Sequence, residues 1–303
     1  MNYQNFNSEI LVEAKSEDSD YIVVFDDNGR VAYGYLIKNS KIISDVWLYN
    51  HNPPPREPEW NDPSKLPFAN PITFASILTE SPVEAPKDLS FSWEYDENQK
   101  LVSVKINIRG ETYGLLKPDN RVGWSRLAIK DGILAKNLVA HQVRNILSSR
   151  SNDLNGRALE KQDSENMIKT FESLLPKWFI DLLVDFPLTG CYCELSEDLD
   201  RSEIGVDMQW MTPSQIISEV TEAYPAKIAI ALSYIPIGIC MAGTGDYYFI
   251  KFNAIDLPIV RIPHNAVKII HDSLQENYHL MEEKIELVCP KLANFFEIVE
   301  ISE

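Results

Sequence analysis

The chain has 303 residues, 45% hydrophobic and 24% charged, with a net charge of −17, as in a globular protein large enough for two domains. No apolar run approaches the roughly 20 residues that cross a bilayer, and the N-terminus lacks the basic and apolar segments of a signal peptide. We therefore expect a soluble, cytoplasmic protein.

The negative charge is unevenly distributed along the chain. Residues 1–150 contain 20 acidic and 17 basic residues, whereas residues 151–303 contain 25 acidic and 11 basic residues. Such a field repels nucleic acid and anionic membranes and attracts a basic partner. Simple solubility is the alternative explanation for the same excess of acid.

The four cysteines have no metal-site spacing. A zinc site requires closely paired Cys or His ligands, and this chain offers one C-x-C pair with no His at ligand distance. We expect reduced, buried thiols and neither a metal nor another cofactor at these positions: Cys191, Cys193, Cys240 and Cys289.

Strand patterns dominate the first 115 residues. Asn28-Gly29 is a hairpin turn signal between the apolar segments 21–25 and 31–37, and a third segment follows at 41–49, which predicts a three-stranded meander. Seven prolines then exclude helix and central strand from residues 51–71. We expect an ordered loop there, anchored by Trp60 and Phe68, with a peptide-like recognition segment as the alternative.

A second hairpin is predicted by alternating apolar and polar residues at 91–95 and 101–108, and a short strand at 112–116. Ser125 is a candidate cap for a helix over 126–132, and helical spacing of apolar residues predicts a further helix over 133–149. The polar segment that follows suggests a domain boundary. We expect a β-rich N-terminal domain at 1–147, a linker at 148–163 and a second domain at 164–303.

The second domain mixes helices and strands. Ser164 is a candidate cap for its first helix, Pro176 is expected to open a second helix, and Thr212 with Pro213 begins another. Gly243 and Gly245 mark a tight turn. Strands are predicted at 191–195, 208–211, 228–239, 246–252 and 257–262, the last two antiparallel, and helices at 164–175, 177–186, 212–223, 266–278 and 286–299.

The order of short motifs in this half resembles the SUKH superfamily, named in part after a yeast cell-wall assembly regulator. These motifs are Leu-Leu-Pro-Lys-Trp-Phe (174–179), Phe-Pro-Leu-Thr-Gly (186–190), a strand-to-helix step at 208–217, Tyr-Ile-Pro-Ile-Gly (234–238), Gly-Thr-Gly-Asp-Tyr-Tyr-Phe-Ile (243–250), Pro-Ile-Val-Arg-Ile (258–262) and Lys-Leu-Ala-Asn-Phe-Phe-Glu-Ile (291–298). The resemblance covers about 160–300. Two departures are Leu188-Thr-Gly190, where the family often has Asn-Gly, and a long helical insertion expected at 266–283.

The N-terminal half also resembles a domain found in bacterial immunity-type proteins. The similarity rests on segments 25–36 and 45–50, Pro58-Glu-Trp60 and 67–71. Together the resemblances imply an α+β protein, with a β-rich N-terminal domain followed by a SUKH-like α+β domain whose mainly antiparallel sheet is flanked by helices.

Bacterial SUKH proteins are similar to immunity proteins, so the resemblance implies a non-enzymatic protein that binds and neutralises a cognate toxin. A nuclease-type toxin has a basic surface because it holds phosphates, and an acidic protein is steered to it. We expect the partner-binding residues to be Glu194, Glu197, Asp198, Asp200, Glu203, Asp207, Gly243, Gly245, Asp246 and Tyr247.

Other interpretations of these segments remain open. The acidic stretch also fits a solvated loop but lacks a Ca²⁺-loop pattern, and the Gly243–Asp246 turn lacks the Lys and helix of a phosphate loop. A regulatory scaffold is one alternative function. An unrecognised enzyme that uses His264, His271 and Asp272 is another, although no known catalytic motif is present.

Overall fold

A computed structural model describes residues 9–17, 20–51, 55–57, 71–76, 83–171, 174–272 and 275–302. The fold is α+β, and its sheets are mostly antiparallel. By internal contacts the chain divides into two compact units, residues 1–141 and 142–303. Among the described residues, no helix is long and apolar enough to cross a bilayer.

The described strands of the first unit form two sheets. One is the antiparallel meander β1 to β4, in chain order, and the other runs in order from β5 to β9 and is antiparallel except where β9 joins β8. The strands of this unit are β1 (Ile10–Lys15), β2 (Tyr21–Asp27), β3 (Val31–Lys38), β4 (Lys41–Asn50), β5 (Leu89–Tyr95), β6 (Leu101–Ile108), β7 (Glu111–Leu116), β8 (Trp124–Ser125) and β9 (Lys136–Asn137). The predicted meander and second hairpin are thus confirmed, and β1 is an additional edge strand.

The core of the first unit lies where the two sheets approach each other. Phe25, Leu36, Leu48 and Ile106 are fully buried. A Cβ atom at Gly34 of β3 would overlap the Cδ1 atom of Ile106 on β6. Only glycine leaves space for this close approach.

In the second unit, one antiparallel sheet has the order β17-β14-β13-β12-β11-β10-β18. Its strands are β10 (Tyr192–Leu195), β11 (Val206–Trp210), β12 (Tyr234–Cys240), β13 (Tyr247–Lys251), β14 (Ile259–Ile262), β17 (Glu286–Cys289) and β18 (Glu300–Ser302), and β15 (Val267–Asp272) with β16 (Gln275–Leu280) forms a separate hairpin.

Six helices lie within the described ranges, and all but the first belong wholly to the second unit. They are α1 (Leu138–Ser149), α2 (Lys161–Thr170), α3 (Lys177–Asp185), α4 (Pro213–Glu222), α5 (Ala226–Ala229) and α6 (Leu292–Ile298). Aromatic side chains join helices to the sheet: Trp210 stacks on Phe296 with centroids 5.7 Å apart, and Phe179 meets Phe252 at 5.0 Å. The four cysteines are buried and free, as expected, and burial raises the pKa of Cys193 to about 12.

The expected helix after Ser125 is not formed. The Ser125 hydroxyl instead accepts a hydrogen bond from the Leu127 amide in a tight turn, and the amides of Arg126 and Ile129 donate to the carbonyls of Tyr113 and Phe74. Because these amides bond to other segments, they are not available for i to i−4 helical bonds.

Two helices begin elsewhere than predicted, and in a third the predicted position of one residue is wrong. α1 starts at Leu138, not near Ile133, because Asn137 acts as its cap and accepts a hydrogen bond from the Ala140 amide at 2.7 Å. α2 starts one turn before Ser164, with Glu160 at the cap position. Pro176 is the cap residue of α3 and not its first helical residue.

Two segments have the wrong predicted type. Residues 226–232 are helical and not strand, with Ala226 and Ala229 buried at helical spacing. Residues 266–278 are not a helix, because the β-branched Val267 and Ile269 lie in the hairpin strand β15, paired with β16. The segment 286–299 is split into β17 and α6 since Pro290 disfavours helical geometry at the residue before it.

The predicted linker is part of the second unit. Leu154 and Leu159 are buried, and the Arg150 guanidinium donates to the carbonyls of Phe296 and Val299. The expected domain limits remain a prediction.

The proline-rich loop lies mostly outside the described residues, including Trp60 and Phe68.

Candidate functional site

The two segments predicted to bind a partner lie side by side at one end of the inner strands of the seven-stranded sheet. β10 and β11 are joined by residues 196–205, and β12 and β13 by residues 241–246. Met208 of β11 pairs with Cys240 of β12, and the Met241 amide donates to the Asp207 carbonyl at 2.8 Å. We call residues 194–207 and 241–247 together the acidic edge.

Most of the predicted charges on the acidic edge are accessible. The exposed members of the predicted set are Glu194, Glu197, Asp198, Glu203, Gly243 and Gly245, and the half-buried members are Asp207, Asp246 and Tyr247. Glu197 and Asp207 form no ion pair with the described part of the chain, so their charge is available to a partner.

Asp200 is the exception and corrects the predicted set. Its side chain is fully buried, where it accepts hydrogen bonds from the Ser202 amide at 2.8 Å and the Ser202 hydroxyl at 2.6 Å. A carboxylate in this position folds the loop back on itself and offers no surface for a partner. The expectation that Asp200 contributes to an exposed binding surface is wrong.

The loop is fastened to the sheet by Arg261, the one charged residue of β14. Its guanidinium donates to Glu286 at 2.7 Å, to the Ser202 hydroxyl at 2.6 Å and to the Gly205 carbonyl at 3.2 Å, and it lies 3.9 Å from Asp200. Burial alone would lower the pKa of Arg261, but the Glu286 hydrogen bond and the charges around it raise the pKa above its ordinary value. Arg261 stays charged and holds the loop in place.

The second segment is a glycine-dependent turn, as predicted. Gly243 and Gly245 have φ angles of +82° and +75°, which favour glycine. The Asp246 carboxylate accepts from the His264 amide at 3.1 Å and lies 3.2 Å from His264 Nδ1. The Tyr247 hydroxyl donates to Glu219 at 2.9 Å. The pKa of Tyr247 is raised, mainly by burial and to a smaller extent by this hydrogen bond.

A pocket of about 260 Å³ opens between the two segments. Glu197 and Asp207 line it, together with Tyr248 and Arg261 from the sheet. Burial raises the pKa of Tyr248 to about 12, so its hydroxyl remains protonated at neutral pH. The volume lies just below the roughly 300–1,000 Å³ of typical small-molecule pockets, which leaves space for one long side chain of a partner.

Three large apolar side chains are also exposed on the acidic edge: Leu199 at 51%, Ile204 at 56% and Met241 at 40%. Protein interfaces commonly combine apolar contacts with surrounding charged groups. These three residues were not predicted as binding residues from the sequence, and neither was the anchoring role of Arg261. A lone arginine within an apolar strand was the available signal, because buried arginines are almost always paired.

No protein-family model, curated protein or solved structure matches this chain. The SUKH resemblance of its short motifs therefore remains a proposal.

The residues weighed for catalysis are only partly described. His264 is exposed and paired with Asp246, whereas the side chains of His271 and Asp272 lie outside the described set. Within the described ranges, no three His, Cys, Asp or Glu side chains cluster as metal ligands do. The acidic edge is thus the best-defined candidate site of the second unit.

Proposed function

We propose that this chain is a cytoplasmic immunity-type protein that binds a basic toxin through the acidic edge, with a SUKH-like second domain. The observation that carries the proposal is the placement of the two segments, which lie some 35 to 50 residues apart in the chain and come together at one end of the paired strands β11 and β12. There Glu197 and Asp207, which form no ion pair with the described part of the chain, lie near exposed apolar side chains.

The charges of the acidic edge favour a cationic partner. Arg261 is already neutralised by Glu286 and Asp200, whereas Glu197, Asp198, Glu203 and Asp207 add negative charge at or near the surface. Residues 151–303 as a whole have 14 more acidic than basic residues. A field of this sign accelerates encounter with a basic surface, such as that of a nuclease.

The exposed apolar side chains supply the second requirement of a tight complex. Charge complementarity mainly increases the association rate and specificity, whereas buried apolar contacts near the centre of an interface contribute much of the affinity. Leu199 and Ile204 lie on the same loop as the carboxylates. The loop thus combines steering charges with apolar contacts.

The direct test is to tag the full chain in its native host, purify it at low salt and identify the proteins that co-purify. We expect one basic partner in a 1:1 ratio, released as the salt concentration rises, whose toxic activity is inhibited by the purified chain. Several unrelated host proteins would favour the scaffold alternative. Absence of any partner, together with turnover of a small molecule, would favour the enzyme alternative.

A further inference from the structure

A basic cluster in the first unit contrasts with the acidic character of the rest of the chain. Residues 101–150 contain nine basic and three acidic residues. Two of these bases, Lys117 and Lys136, converge on one indole ring: their Nζ atoms lie 5.2 and 4.8 Å from the centroid of the Trp124 ring. The two ammonium groups are therefore at most about 10 Å apart.

The sheet fixes this arrangement. Trp124 of β8 pairs with Leu115 of β7 and with Lys136 of β9, and Lys117 directly follows β7. The indole is largely buried, and its contact with His141 has ring centroids 4.4 Å apart and an interplanar angle of 26°. Both lysines are half-buried, so the ammonium groups are held against a rigid support.

The charge of the two lysines is not neutralised by the described part of the chain. No carboxylate there forms an ion pair with either side chain, and Lys136 donates only to the Asn120 amide oxygen at 3.4 Å. The neighbouring arginines differ, since Arg121 pairs with Asp45 at 2.9 Å and Arg126 lies 3.7 Å from Glu111.

The acidic groups near the cluster have other partners. Asp131 accepts a hydrogen bond from the Asn137 amide, and Asp119 accepts one from the Asn120 side chain. The pKa of His141 is lowered to about 4, mainly by burial and also by the charges of Lys117 and Lys136, whereas Asp131 has a smaller, opposite effect. The imidazole is thus neutral at pH 7, and the local field of the lysines remains positive.

We propose that Lys117 and Lys136 bind the phosphate group of a small phosphorylated molecule beside Trp124. A phosphate monoester carries a charge of about −1.5 to −2 at pH 7 and three strong acceptor oxygens, which match two ammonium groups better than a singly charged carboxylate does. Lysine binds phosphate as a point charge. The Asn120 side chain lies beside Lys136. This site is in the first unit and does not depend on the proposed function of the acidic edge.

The test is titration of the full ¹⁵N-labelled chain with inorganic phosphate at pH 7, with potassium chloride adjusted to keep ionic strength constant. We expect saturable shifts of the Trp124 indole and of amides at 117–124 and 136–141. Adenosine 5′-monophosphate should produce them as well, whereas adenosine and acetate should not. Saturable shifts with acetate, or none with phosphate, would overturn the proposal.

Variants complete this test. The double variant Lys117→Gln/Lys136→Gln should bind phosphate at least about tenfold more weakly, because it loses two hydrogen bonds to a charged group. Lys136→Arg, which keeps the charge, should retain binding. The control Lys105→Gln alters an exposed lysine of β6 and should behave like the wild type. Unchanged affinity in a folded double variant would contradict the assignment.

Discussion

At the scale of single residues, Arg261 is the clearest example of one side chain that organises a functional segment. Its side chain is 5% exposed and contacts both β17 and the loop between β10 and β11. A lone arginine in an apolar strand indicates a buried, paired side chain, but the sequence does not identify its partners, because Asp200 and Glu286 lie far from it in the chain. The same contacts explain why Asp200, which looks like one more loop charge in the sequence, is structural.

Replacing Arg261 with Met should lower the free energy of unfolding by about 3–5 kcal/mol, because Asp200 would be left buried and uncompensated. Arg144→Met is the matched control: Arg144 pairs with Asp185 in a partly exposed bridge, which contributes under about 1 kcal/mol. Urea unfolding of both variants measures the difference. Equal losses would show that the loop is not anchored through Arg261.

Asp27 has a comparable position in the first unit. It is 1% exposed and accepts hydrogen bonds from the Gly29 amide and the Tyr49 hydroxyl, while His51 Nε2 lies 2.7 Å away. Asp27→Ala should reduce the free energy of unfolding by about 3 kcal/mol or more, since these buried groups lose their acceptor. Asp96→Ala removes a half-buried turn carboxylate that accepts only from backbone amides of exposed residues and should lower the free energy of unfolding by about 1 kcal/mol in the same assay.

His141 should make stability depend on pH. Its folded pKa of about 4 lies below the ordinary value of 6.5, so between these values the unfolded chain binds more protons. The contribution of the neutral imidazole is complete above pH 6.5 and is lost as pH falls toward 4.

The variant His141→Gln should therefore lose less stability than the wild type between pH 7 and pH 5, by on the order of 1 kcal/mol. Denaturant unfolding at the two pH values measures this difference. An identical pH dependence in both proteins would contradict the assigned pKa direction.

At the scale of elements, the sequence correctly predicted the turns, strands and helix starts that depend on residues close together in the chain. The Asn28-Gly29 turn, the alternating strands of the second hairpin and the Thr212-Pro213 helix start all occur as expected. The helix predicted over residues 266–278 is wrong because short apolar runs are compatible with both helix and strand. The pairing of β15 with β16 decides in favour of strand. Likewise, tertiary hydrogen bonds override the helix expected after Ser125.

The Thr212 cap offers a direct test at this scale. Thr212 and Gln215 form a reciprocal capping box at the start of α4. Thr212→Ala should lower the free energy of unfolding by about 1 kcal/mol, measured by urea titration. Thr221→Ala, at an exposed position inside the same helix, should change it by less than about 0.5 kcal/mol. A larger loss for Thr221→Ala than for Thr212→Ala would contradict the role of the cap.

At the scale of the whole molecule, the two units present opposite local chemistry. The first unit carries two lysines beside Trp124 without a carboxylate partner in the described ranges, whereas the second carries the acidic edge. Uneven charge was visible in the sequence, but the meeting of residues 196–205 and 241–246 depends on the pairing of β11 with β12. The exposure of the apolar side chains of Leu199 and Ile204 likewise depends on how the loop folds, and no sequence motif predicts it.

The most direct test of the proposed function is the association rate of the chain with its co-purified partner, measured by stopped flow at several salt concentrations. The variant Glu197→Lys/Asp198→Lys/Glu203→Lys leaves buried Asp200 intact and reverses three exposed charges. A control, Glu13→Lys/Glu97→Lys/Glu160→Lys, makes the same change in net charge at exposed positions outside the acidic edge. We expect the first variant to associate at least about tenfold more slowly at low salt, with a weaker salt dependence, and the control to change far less. Equal slowing in both variants, or unchanged association in the first, would contradict binding through the acidic edge.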